Sequence, residues 1–122
     1  MSIVDDDWSL VEATVSLLQS LGYVAEGFRS AEDFLESRQL LKTDCLILDI
    51  LMPSMGGFEL QRRLATRNYQ IPIIFVTSHE CEDAQIQAAR AGAAGFLCKP
   101  FSQESLFRAV RSALGNQRKD RS

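Results

Sequence analysis

The chain has 122 residues and a mass of 13.6 kDa, the size of one domain by the usual roughly 100–200 residues per domain. Hydrophobic residues make up 46% and charged residues 24%, so a packed core is expected and a disordered or collagen-like chain is excluded. Thirteen Lys plus Arg against sixteen Asp plus Glu leave a net charge of −3, which lacks the basic footprint of direct nucleic-acid binding.

Ser2 to Val4 reads as a short first strand. Leu10, Leu17, Leu18 and Leu21, with Val11 and Val15 beside them, repeat as one buried helical stripe, and Gly22 stops that helix. Tyr23 to Phe28 is rich in strand formers, and Ser30 is placed to cap a helix expected over Ala31 to Leu41. Cys45 to Leu48 is a continuous apolar run, the pattern of a strand buried on both faces, and Asp49 ends it. Pro53, Gly56 and Gly57 mark a loop, after which Phe58, Leu60 and Leu64 give a helical face up to about Arg67. Ile73 to Val76 is again wholly apolar and ends at Thr77; an alanine-rich helix then spans Glu82 to Ala91 and is closed by Gly92. Gly95 to Cys98 is a fifth strand. The last helix is expected from Gln103 to Leu114, with Ser102 as cap, Glu104 in its first turn, Leu106, Phe107, Val110 and Leu114 inward, and Gly115 as its end. Asn116 to Ser122 is polar, has no large apolar residue and reads as the start of a linker.

Five strand-then-helix units imply a parallel sheet covered by helices on both faces. No apolar run approaches the roughly 20 residues of a membrane helix. Met1 to Asp5 has no basic, then apolar, leader, so a cytoplasmic location is expected and no membrane partner. Cys45, Cys81 and Cys98 are odd in number and widely spaced. They match no zinc or disulfide pattern and are expected to be packing residues or reduced thiols.

Ligands of an open parallel sheet bind at the carboxyl ends of its strands. There this chain places Asp5 and Asp6 after the first strand, Asp49 after the third, Thr77 and Ser78 after the fourth, and Lys99 after the fifth. Gathered carboxylates repel one another and raise their pKa values unless a cation compensates. Magnesium, which takes oxygen ligands and keeps some waters, suits such a set, with Lys99 and Thr77 completing the parts needed for phosphoryl transfer to a carboxylate.

At these residues the chain resembles the receiver domains of bacterial two-component response regulators. The resemblance runs from Ile3-Val4-Asp5-Asp6-Asp7 through Leu48-Asp49-Ile50-Leu51-Met52-Pro53-Ser54-Met55-Gly56-Gly57 and Val76-Thr77-Ser78 to Gly95-Phe96-Leu97-Cys98-Lys99-Pro100-Phe101. It implies a doubly wound, flavodoxin-like α/β fold with five strands in the order 2-1-3-4-5 and five helices, over residues 2–115. Residues 116–122 would then begin a linker to a DNA-binding or other output domain. It further implies that Asp49 accepts a phosphoryl group from a sensor histidine kinase, in a switch that is no enzyme beyond self-catalysed acceptance and loss of the group. Asp6 and Asp49 would bind magnesium directly, Asp5 mostly through water and Leu51 through its backbone carbonyl; manganese is expected to substitute. Lys99 and Thr77 would contact the phosphoryl oxygens, Phe96 would follow Thr77 inward, and the surface of the fourth helix, fifth strand and fifth helix would change. A cis Lys99–Pro100 peptide is also implied.

Plainer roles stand beside these. Asp7 reads as a helix cap, His79 as an exposed loop side chain, and Phe96 on its own evidence as a core aromatic. An aspartate-nucleophile phosphatase usually carries a second Asp two residues on, where this chain has Leu51; a flavin site would need a phosphate-cradling loop where Asp5-Asp6-Asp7 stands. An interaction module that is never phosphorylated is disfavoured by the intact acid, threonine and lysine set. Only four residues precede Asp5, so a frayed first strand is expected. Leu51 and His79 occupy the positions that in the family tune loss of the phosphoryl group to water, and leucine cannot orient a water, so slow self-dephosphorylation is expected. Ile86 is the one large apolar residue of the fourth helix; a free monomer is expected, with dimerisation after phosphorylation left open.

Overall fold

Strands that are apolar on both faces must lie between two layers of helices, and the computed structural model of the protein places them so. It describes residues 1–121, with side chains through Gly115. The elements are β1 (Ser2–Val4), α1 (Trp8–Ser20), β2 (Glu26–Phe28), α2 (Ala31–Glu36), a 3-10 turn (Arg38–Leu41), β3 (Leu46–Asp49), α3 (Gly57–Thr66), β4 (Ile73–Thr77), α4 (Cys81–Arg90), β5 (Gly95–Cys98) and α5 (Gln103–Arg121). The five strands are parallel in the order β2-β1-β3-β4-β5, the doubly wound flavodoxin-like fold that was expected.

Alternate residues divide the core between the two faces of the sheet. Ile3, Ile47, Ile74, Val76 and Leu97 pack with Val11 and Leu18 of α1 and Leu106 and Val110 of α5. Val4, Leu46, Leu48, Ile73 and Phe75 pack with Phe34 of α2, Leu60 and Leu64 of α3, and Ala88 of α4. The capping side chains do what their positions dictate. Asp7, Ser30 and Ser102 each accept a backbone N–H three residues on, from Leu10, Asp33 and Ser105. Gly22 (φ +92°) and Gly92 (φ +80°) turn left-handed just past α1 and α4.

Four expectations are corrected. The first strand is not frayed: all three of its residues are buried and paired on both sides. The Met1 ammonium donates to the Val24 carbonyl (2.9 Å) and pairs with Asp44 (3.2 Å). The second strand is shorter than Tyr23 to Phe28, because the Tyr23 N–H is spent closing the end of α1 on the Leu18 carbonyl (3.1 Å). The second helix breaks at Ser37, which is extended (φ −85°, ψ 159°) and donates its hydroxyl to the Phe34 carbonyl at 2.8 Å; side-chain bonds of this kind compete with the helical ladder. Finally, Gly115 does not end the last helix, which continues to Arg121. A glycine stops a helix by turning left-handed, and Gly115 does not.

The loop from β3 to α3 is drawn tight over the sheet. The Gly57 N–H donates to the Ile50 carbonyl at 2.9 Å, and a Cβ at Gly57 would sit 2.6 Å from the Asp49 carbonyl oxygen and 3.1 Å from Ile50 Cα. A Cβ at Gly115 would meet nothing within 4 Å. The same substitution therefore has opposite signs at the two sites. Gly57→Ala should cost about 2 kcal/mol through forced backbone displacement, whereas Gly115→Ala should gain up to about 1 kcal/mol in a helix interior. Urea midpoints of the two variants check both; a stabilised Gly57→Ala would contradict the close approach.

Candidate functional site

Each strand ends on the same edge, so residues distant in sequence converge there. Asp5 and Asp6 follow β1, Asp49 is the last residue of β3, Thr77 the last of β4, and Lys99 follows β5. Asp5 is 4% and Asp49 5% exposed, while Asp6 lies open to solvent. One carboxylate oxygen from each of these three residues lies within 4.8 Å of the others. Lys99 Nζ reaches between the two buried carboxylates, 2.7 Å from Asp5 Oδ2 and 3.6 Å from Asp49 Oδ2. The other Asp5 oxygen accepts the Asp7 N–H at 2.9 Å.

One ammonium does not balance three carboxylates, and the imbalance falls on Asp49. Burial first, and then the charge of Asp5, push its carboxyl up to about 7, against the opposing pull of Lys99. Burial alone would lower the Lys99 ammonium, but its hydrogen bond to Asp5 and the nearby charges of Asp49, Asp5 and Asp7 hold it above its ordinary value.

This donor set fits a hard divalent cation. Magnesium is a hard cation that takes oxygen ligands and keeps some of its waters, and three carboxylate oxygens within 4.8 Å of one another present such ligands. The excess negative charge supplies the affinity. Asp5, Asp6 and Asp49 are the residues that could hold it; the Leu51 side chain is apolar and cannot ligate, which leaves that residue its backbone carbonyl.

Thr77 is 1% exposed, and its Oγ1 accepts the His79 N–H at 3.3 Å. The Lys99 N–H donates to the Thr77 carbonyl at 2.8 Å, and Lys99–Pro100 is cis. Phe96 is partly buried and packs on the core beneath α2, α3 and α4. His79 is exposed, as expected. An open cleft of about 380 Å³, lined by Asp7, Leu10, Ser78, Lys99, Pro100 and Phe101, flanks the acidic group.

One pairing was missed. Cys45 is a buried packing residue, its thiol pushed up to about 12 by burial, but Cys81 and Cys98 are joined as a disulfide with Cα atoms 6.1 Å apart. Their separation of 17 residues hides the contact, which the β4–α4–β5 crossover makes by setting the start of α4 beside the end of β5. The available signal was that Cys98 immediately precedes Lys99, at the functional edge.

A sequence profile described as a response regulator receiver domain matches residues 1–111. The response regulator protein TmoT of Ectopseudomonas mendocina is 46% identical over 112 residues, 92% of this chain and 51% of that protein. The transcriptional regulatory protein FixJ of Azorhizobium caulinodans is 34% identical over 93% of this chain and 54% of its own length. The crystal structure of a response regulator receiver protein from Burkholderia phymatum superposes with a TM-score of 0.80 at 39% identity, covering 93% of each chain. The chain thus spans about half the length of the curated relatives it matches.

The raised Asp49 carboxyl has a consequence for stability. Folding favours its protonated form, so the contribution is fully present below about pH 4 and is lost as pH rises through about 7. Without divalent cations, Asp49→Asn should be more stable than the parent by about 1–3 kcal/mol above pH 7, with the difference vanishing near pH 4. Thermal unfolding across that range measures it. A gap independent of pH would show that carboxylate crowding is not the cause.

Proposed function

We propose a phosphoryl-accepting switch from one premise: this chain belongs to the family of response regulator receiver domains of two-component signalling. The observation that carries the proposal is Asp49, a carboxylate at a strand end, buried beside Asp5 and held by Lys99 at 3.6 Å. In the proposed step a deprotonated Asp49 oxygen attacks the phosphorus of a phosphohistidine on a sensor kinase. The new P–O bond forms as the P–N bond breaks, and the electron pair stays on the imidazole nitrogen. Magnesium, when bound by Asp5, Asp6, Asp49 and the Leu51 carbonyl, supplies the positive charge that keeps Asp49 ionised and offsets the phosphoryl oxygens. Lys99 adds a second positive charge at the same place. Thr77 carries a hydroxyl on the adjacent strand, free to exchange its loop contact at His79 for a phosphoryl oxygen.

The acyl phosphate carries about two negative charges where the carboxylate carried one, and its oxygens are strong hydrogen-bond acceptors, which draws the Thr77 hydroxyl toward it. Phe96 and the surface of α4, β5 and α5 would follow. The receiver acts once per phosphoryl group and is therefore a switch rather than an enzyme. Because the relatives are about twice as long, and one is named a transcriptional regulator, the proposed recipient of the signal is an output domain joined after the polar residues 116–122. A cytoplasmic site of action accords with this, and among the described residues no helix is long and apolar enough to cross a membrane.

Incubation with acetyl phosphate and magnesium should add one phosphoryl mass, labile to hydroxylamine. The adduct should be absent without magnesium and absent in Asp49→Ala. A folded protein that gains no adduct, or gains one equally in the variant, would overturn the assignment.

The lifetime of that adduct depends on who can hold the attacking water. Leu51, two residues after Asp49, has an exposed apolar side chain that can offer a water no hydrogen bond. Leu51→Asn should therefore speed loss of the phosphoryl group by roughly tenfold, about 1.4 kcal/mol of barrier. Adduct decay followed by intact mass reads this directly, and an unchanged rate would assign the slow step elsewhere.

A further inference from the structure

We infer that Cys81 and Cys98 are a reversible redox pair whose disulfide fastens the start of α4 to the end of β5 and thereby restrains the Thr77–Cys81 segment. The inference rests on the proposed switch for its signalling consequence, but the crosslink itself stands on independent geometry.

The two residues belong to separate elements and are set at 6.1 Å between Cα atoms, within the roughly 4.4–6.8 Å that a disulfide spans. Both are partly exposed, unlike the buried Cys45, so a small oxidant or reductant can reach them. Their placement couples them to the site. Cys98 is the register partner of Thr77 in the β4–β5 ladder and precedes Lys99, whose N–H donates to the Thr77 carbonyl. The Cys81 sulfur lies 3.9 Å from that same carbonyl oxygen. Thr77, Ser78, His79, Glu80 and Cys81 are thus closed into a small ring by the ladder on one side and the disulfide on the other. Glu80 within it is left-handed (φ +47°), a conformation costly for a residue with a side chain and persisting only when its surroundings hold it.

The proposed oxidant class is a small-molecule disulfide such as oxidised glutathione. One cysteine thiolate attacks it, forming a mixed disulfide and releasing one glutathione thiolate. The second cysteine thiolate then attacks the protein sulfur of that mixed disulfide, closing Cys81–Cys98 and releasing the second glutathione. Two protein thiols are oxidised, one glutathione disulfide becomes two thiols, and the protons lost by the cysteines are taken up by the leaving thiolates.

In the oxidised chain Thr77 and the first turn of α4 are tethered across the ladder, so the response to a phosphoryl group at Asp49 is expected to stop at the site and not spread to the α4 surface. In the reduced chain that segment is released. Oxidation would then uncouple signal reception from output without touching the acceptor.

The test equilibrates the protein with reduced and oxidised glutathione, then denatures and alkylates it with N-ethylmaleimide. Reduced chains should carry three adducts, and oxidised chains one, on Cys45, with Cys81 and Cys98 peptides linked. Hydrogen exchange then reads the restraint before any phosphoryl donor is added. Amides of residues 78–84 should exchange about tenfold more slowly in the oxidised chain. With acetyl phosphate and magnesium the same amides should respond in the reduced chain and change less than about twofold in the oxidised one. Cys81→Ser and Cys98→Ser should each behave as reduced in both buffers. Three adducts at every glutathione ratio, a link through Cys45, or equal exchange in the two states would overturn the inference. A reduced chain that takes no phosphoryl group would instead overturn the proposed function, with adduct count and unphosphorylated exchange still deciding the crosslink.

Discussion

The structure turns on an electrostatic imbalance: three carboxylates gathered at one edge of a parallel sheet, two of them buried, with a single lysine between them. A buried charge without compensation is among the most costly features a fold can carry, and Asp49 registers that cost in a carboxyl pushed up to about 7. Lys99 offsets part of it, at 2.7 Å from Asp5 and 3.6 Å from Asp49. In the proposed switch, a divalent cation and then a phosphoryl group would be the additions that turn this deficit into binding energy.

Much of the surrounding backbone holds these groups in place. The β3–α3 loop is closed by the Gly57–Ile50 hydrogen bond and pinned by Met55, which is buried in the core under α2 and α3. It passes so close to the Asp49 carbonyl that only glycine fits at position 57. On the other side, β4 and β5 deliver Thr77 and Lys99 as neighbours across one ladder, with Lys99 bonded to the Thr77 carbonyl. The strand ends therefore gather the candidate site residues on the edge from which the chain runs on to α4. The Cys81–Cys98 link joins the start of α4 to the end of β5 beside that ladder, away from the carboxylates.

The legibility of the chain varied with the kind of physics at each position. Strands β3 and β4 were plain because parallel central strands are apolar on both faces, and the caps at Asp7, Ser30 and Ser102 were plain because a short polar side chain before a helix has few other uses. Ser37 was not, since a serine is tolerated inside a helix unless its hydroxyl finds the Phe34 carbonyl, as it does here. Gly115 was misleading for the converse reason: with no crowding to force a left-handed turn, it continues α5. The short β1 was expected to be frayed, yet its residues pair with β2 on one side and β3 on the other.

By itself the sequence determined the strand-helix alternation, the parallel sheet that follows from it, and the placement of Asp5, Asp6, Asp49, Thr77 and Lys99 at strand ends. These are consequences of local pattern, hydrophobic period and chain direction, which need no knowledge of distant contacts. Only the tertiary structure decided which carboxylate carries the electrostatic burden, how Lys99 divides itself between Asp5 and Asp49, and that Cys81 meets Cys98. Those outcomes depend on burial and on through-space distances between elements far apart in the chain. Neither quantity is encoded at any single position, and each arises only when five strands are laid side by side.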